Sequence, residues 1–214
     1  MFNFSKYFPK LTNDQIKDLR NLLPIYQHWN SQINVISRKD MDFFFINHVL
    51  HGLSIAKVFE FRSGTAIIDV GTGGGFPGIP LAIMFPEVTF HLIDSIGKKI
   101  KVVRAVKEEL GLKNVEAYYD RMENFDQKVD FVVSRAVAPM KTLMGWVEDK
   151  ISIHHKNDIK NGLICLKGGD LTGELNDFPQ AKVFSLNNFF GEPFFVTKKI
   201  VYLPIGKFFN SQKV

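Results

Sequence analysis

The chain has 214 residues, long enough for one well-buried domain, and its 45% hydrophobic and 23% charged residues are ordinary for a globular protein. Its net charge of +5 is compatible with a polyanionic partner without requiring one. One cysteine excludes an internal disulfide and a cysteine-rich metal site, and no apolar stretch approaches the roughly 20 residues of a membrane span.

The chain opens on MFNFSKYFPKLTND, which lacks the basic-then-apolar order of a secretory signal, so a soluble cytoplasmic protein is expected. Residues 12–29 carry Ile16, Leu19, Leu22 and Leu23 at helical spacing; Thr12 or Asn13 can cap the start, and Pro24 should interrupt or kink the helix. After the polar stretch SQINVISRKD a second helix is expected over 40–60. Residues 1–60 thus read as a helical extension packed on a core of 61–214, the two forming one compact unit. The 21 phenylalanines are read as filling that core.

From residue 65 the pattern alternates. Strands are expected at 65–70, 88–94, 115–120, 129–136 and 162–168, and helices at 77–85, 98–111 and roughly 138–151. Pro80 fits the first turn of its helix, and Gly111 suits a helix end. Short connections in this order predict an α/β fold, a mostly parallel sheet wrapped by helices. The runs 181–190 and 198–205 have no helix-length segment between them and predict a closing antiparallel pair. Cys165 lies inside the apolar fifth strand and reads as a buried small hydrophobe. His154 and His155 precede that strand and read as a solvated loop away from the strand carboxyl ends.

The first strand runs straight into a glycine cluster, IIDVGTGGGFPGIP (67–80), in which five of eight residues from Gly71 to Gly78 are glycine. Glycine is costly to order, so such a cluster implies close approach of backbone to a ligand. A dinucleotide pattern, G-x-G-x-x-G, fits only from Gly73 (Gly73, Gly75, Gly78), three residues past the strand end. The alternative, Asp69-x-Gly71-x-Gly73-x-Gly75, fits without a shift, and its carboxylate suits a cationic ligand better than a pyrophosphate. S-adenosylmethionine carries an ammonium and a sulfonium and no phosphate. Asp94, which closes the second strand, can accept both hydrogen bonds of a ribose diol and fits either cofactor.

For a methyl transfer, alignment of acceptor, methyl and sulfur is the main requirement. The fourth strand ends in SRAVAP, unlike the Asn/Asp-Pro-Pro-aromatic segment used on exocyclic amines. The lone cysteine lies within a strand, which disfavours attack on pyrimidine C5. Guanine N7 has a free lone pair and needs no base, and cationic donors read N7 and O6. Arg135 and Lys167, at the ends of the fourth and fifth strands, can supply them and are the catalytic candidates. A small-molecule methyltransferase, an NAD enzyme and a ribosome-binding module without turnover remain as alternatives.

IIDVGTGGGFPGIP, HLIDSIGKKIKVVRAV, DRMENF, FVVSRAVA and CLKGG, together with WNSQINVISRKD and NHVLHGL, resemble in order the RsmG (GidB) family. Its members are S-adenosylmethionine-dependent methyltransferases acting on a guanine N7 of 16S ribosomal RNA. The resemblance implies a Rossmann-like methyltransferase fold with an N-terminal helical cap. It also implies cofactor contacts from Gly71, Gly73, Phe76, Asp94, Met122 and Glu123, with Arg135 on the cofactor side of the pocket. His51 stands where many members have an acid, and both His48 and His51 are read as packed residues. The expected partner is 16S ribosomal RNA or the small ribosomal subunit, bound by a monomer with no metal and no membrane. The expected footprint is Arg38, Lys39, Lys98, Lys99, Arg121, Arg135 and Lys167.

Overall fold

Helix α1 (Asn13–Asn30) starts on Thr12, whose hydroxyl accepts from the Gln15 amide while the Gln15 side chain accepts from the Thr12 amide. This reciprocal pair satisfies two amides the first turn leaves free. The computed structural model describes residues 2–205; residue 1 and residues 206–214, the end of the expected core unit, lie outside the described residues. Pro24 does not interrupt α1. Leu19 and Leu22 before it and Ile25 and Tyr26 after it are buried, and their packing outweighs the one backbone bond a proline removes.

The single helix expected over 40–60 is a series of short pieces instead: α2 (Arg38–Met41), a π turn (Phe45–Leu50), α3 (His51–Leu53) and a 3-10 turn (Ser54–Lys57). Hydrophobic spacing cannot separate a π turn from an α turn over six residues, so the sequence pattern is silent here.

The alternation that follows is present: β1 (Ala66–Val70), α4 (Gly78–Met84), β2 (Thr89–Asp94), α5 (Gly97–Leu110), β3 (Val115–Tyr119), β4 (Phe131–Arg135), α6 (Met140–Val147) and β5 (Gly162–Gly168). A short helix α7 (Thr172–Leu175), absent from the sequence reading, comes next. The closing strands are β6 (Lys182–Ser185) and β7 (Lys198–Pro204). β6 is shorter than expected because the chain turns into a 3-10 turn at Leu186, whose side chain is buried. The sheet order is β3-β2-β1-β4-β5-β7-β6, parallel as far as β5, with β7 antiparallel to both β5 and β6.

Strand side chains alternate between the two faces, and the two core clusters follow that alternation. Ile67, Phe131, Val133, Ile164 and Leu166 pack toward α1, α4 and α5. Ile68, Val132, Leu163 and Cys165 pack toward α6. Helices therefore cover both faces. β1 lies between β2 and β4, so strand order reverses there, and the crevice of an open α/β sheet opens at the carboxyl ends of those two strands. Among the described residues no helix is long and apolar enough to cross a membrane.

Candidate active site

The loop after β1 carries positive φ at Gly71, Gly73 and Gly75, the three glycines that alternate after Asp69. Side chains rarely adopt that conformation, which explains the spacing. A Cβ on Gly71 would lie 2.5 Å from Val137 Cγ2, whereas one on Gly73 would meet nothing within 4 Å. The first glycine is thus needed for packing, and the second faces open space.

That space is a cavity of about 570 Å³ at the strand ends. Gly71, Gly73, Phe76, Asp94, Met122, Glu123 and Arg135 all line it. Asp94 is nearly buried; one oxygen accepts from the Gly73 amide and the other from the Ile96 amide, both at 2.9 Å, and Lys99 Nζ lies 3.6 Å away. Val35 and Trp146 also line the cavity. They come from a loop and a helix remote in sequence, and no local pattern marks them.

Asp69 does not line the cavity, contrary to the expectation that its carboxylate would face a cationic ligand. It shares the face of Ile67, beneath the start of α4, and is fully buried. Its Oδ2 accepts from the Thr72 hydroxyl at 2.7 Å and the Gly78 amide at 2.8 Å, while Oδ1 has no partner. Burial pushes its pKa up to about 7, against the pull of those two hydrogen bonds. Asp69 therefore ties the two ends of the loop together from below.

Arg135, on the face of Phe131 and Val133, points toward the N-terminal helices. It donates to the Asn47 carbonyl and to His48 Nδ1, each at 3.1 Å, and its guanidinium lies 5.2 Å from the Phe76 ring centroid. Burial lowers its pKa to about 10, opposed by Asp69, Tyr26 and Asp40. An arginine has no acceptor, so His48 Nδ1 must accept and the imidazole proton sits on Nε2. Burial first, then Arg135, holds the His48 pKa down to about 4, so the ring is neutral. His51 is buried as well, with its rings neighbours Phe194 and Phe195.

Lys167 is not at the cavity. Alternation along β5 puts it on the α6 face with Cys165, where Nζ donates to the Ala138 carbonyl at 2.8 Å and pairs with Glu174 at 2.7 Å. The same Glu174 oxygen accepts from the Met140 amide, the first of α6. The expected guanine reader is a clamp between β5, α6 and α7. Cys165 is buried as expected, which pushes its thiol up to about 12. His154 and His155 are exposed, ahead of the amino end of β5.

Sheet order, glycine loop and strand-end cavity define the fold of the S-adenosylmethionine-dependent methyltransferases. Among solved structures, a methyltransferase of that class from Aquifex aeolicus superposes with a TM-score of 0.54 at 15% identity, over 79% of this chain and 100% of its own. A variant of MtNAS solved in complex with S-adenosylmethionine gives 0.56 at 14% identity, over 90% of this chain and 72% of its own. The family described as rRNA small subunit methyltransferase G (GidB) matches residues 15–188. Ribosomal RNA small subunit methyltransferase G of Christiangramia forsetii is 56% identical over 200 residues, covering 94% of this chain and 95% of its own length. The chain belongs to the GidB family.

Proposed function

We propose that this chain transfers the methyl group of S-adenosylmethionine to N7 of a guanine in 16S ribosomal RNA. The observation that carries this reading is the convergence of the glycine loop, Asp94 and the end of β4 on one cavity. When bound, S-adenosylmethionine supplies an electrophilic methyl on a cationic sulfur. Asp94 has lone pairs left after its two backbone bonds and can accept from ribose hydroxyls. Gly73, with open space where a side chain would be, lets a nucleoside approach the backbone. Met122 offers apolar surface to a base, and Glu123 beside it a polar edge. Arg135, held by neutral partners, keeps a fixed positive charge at the end of β4.

Among the described residues, those that line the cavity include no histidine and no cysteine. That suits guanine N7, which requires neither proton removal nor a thiol nucleophile. The RNA footprint narrows, since Lys99 neighbours Asp94 and Lys167 is paired with Glu174. Arg38, Lys39, Lys98 and Arg121 are exposed and remain for phosphates and base edges. Mass-spectrometric mapping of small-subunit RNA from a strain lacking the gene tests the reading. One guanine should lose its N7 methyl group and regain it when the purified protein and S-adenosylmethionine are added. An unchanged modification map overturns the proposal.

A further inference from the structure

One face of α1 reaches the glycine loop from outside the sheet. Tyr26 is fully buried, and its hydroxyl donates to the Gly74 carbonyl. Its ring packs on Phe76, with centroids 5.0 Å apart. A Cβ on Gly75 would come 3.0 Å from the Tyr26 hydroxyl, so the loop closes onto this side chain without slack. Burial also drives the phenol pKa upward, which keeps the hydroxyl protonated and donating.

Asn30 lies four residues on, on the same face of the helix. Its Oδ1 accepts from the Val35 and Ile36 amides, both at 2.9 Å, and its Nδ2 donates to the Ile36 carbonyl at 2.8 Å. This holds Val35 against the loop, where a Cβ on Gly74 would meet Val35 Cβ and Cγ2 at 3.3 Å. Val35 lines the same cavity as Gly73, Gly74 and Phe76. Gly74 is therefore gripped twice by α1, at its carbonyl through Tyr26 and at its α-carbon through Val35.

We propose that Tyr26 and Asn30 are positioning residues for the methyl donor, which make the donor's affinity a property of the N-terminal helix as well as of the sheet. The inference rests on the reading of the cavity as the donor site. Glycine-rich backbone loses much conformational freedom when a ligand orders it, and a loop already held in its bound shape avoids that loss. Tyr26 and Asn30 do not line the cavity, so they act through Gly74 and Val35.

Calorimetric titration of S-adenosylhomocysteine into the wild type, Tyr26→Phe and Asn30→Ala, with initial rates at varied donor, tests this. Tyr26→Phe keeps the ring and removes one hydrogen bond, so the dissociation constant should rise about fivefold. The donor KM should rise by the same factor, with kcat within about twofold. Asn30→Ala should move Kd and KM in the same direction, and it decides alone if Tyr26→Phe does not fold. A purely architectural role would lower the unfolding midpoint yet leave Kd and KM of the folded protein unmoved, and that result overturns the proposal. A wild type that does not bind S-adenosylhomocysteine removes the cavity reading and the proposal together; wild-type binding with unmoved variants removes the proposal alone.

Discussion

Asp69→Asn should flatten the pH dependence of stability across the mildly acidic range. Burial of the carboxyl raises its pKa from the ordinary 3.8 to about 7 in the folded protein. In the unfolded chain it titrates near its ordinary value, about 3.9. Between those two values the folded state holds the proton and the unfolded state has lost it. Its contribution is therefore fully present below about pH 4 and is lost as pH rises toward 7. At about 1.36 kcal/mol per pKa unit, the rise amounts to about 4 kcal/mol by pH 8. Asparagine carries no charge and can still present one oxygen to Thr72 and Gly78. Its amide then occupies the place of Oδ1, which has no partner, as the protonated carboxyl does. The variant should match the wild type near pH 4 and exceed it at pH 8 by 1 kcal/mol or more, up to about 4. Urea unfolding of both proteins at the two pH values gives the double difference, in which titrations common to both cancel. Parallel wild-type and variant pH profiles would refute the assignment of Asp69 as a buried, charge-averse brace.

Three further substitutions separate the loop, the clamp and the β4 end. Gly71→Val places a branched side chain at φ +62 with its Cβ 2.5 Å from Val137 Cγ2. It should abolish the thermal stabilisation that S-adenosylhomocysteine gives the wild type while the chain still folds; a wild-type shift would move the donor away from this loop. Lys167→Met strands Glu174 beneath α6 and should cost about 3 kcal/mol of stability in urea unfolding. Its kcat per folded molecule should stay within about twofold, and a hundredfold fall at unchanged stability would restore Lys167 to the chemistry. Arg135→Lys leaves one ammonium where a planar fork reaches Asn47, His48 and the Phe76 face at once. A loss of roughly tenfold to a hundredfold in kcat/KM is expected, and steady-state kinetics showing none would make Arg135 dispensable.

Which of these side chains belongs to the cavity was only partly legible in the sequence. Strand ends were readable, because β-branched runs stop sharply at glycine or at a charged residue, and that placed Asp69, Asp94, Arg135 and Lys167 at the carboxyl rim. Strand alternation then separates the faces: Asp69 and Arg135 turn toward the N-terminal helices, and Lys167 turns toward α6. What covers each face was not readable. The covering pieces are the π turn at Phe45–Leu50 and the four-residue α7, both too short to show a period. The first brings Arg135 a carbonyl and a neutral imidazole; the second brings Lys167 a carboxylate. Two cations that look equivalent in sequence therefore differ in how their charge is paired. The Lys167 charge is cancelled by Glu174 on the far face, while Arg135 donates to a carbonyl and a neutral imidazole, forms no ion pair among the described residues, and keeps its charge at the cavity, where it can act on a bound ligand. Asp69 follows the same pattern: a carboxylate beside a glycine loop looks like a ligand contact until the helix start that buries it is in place.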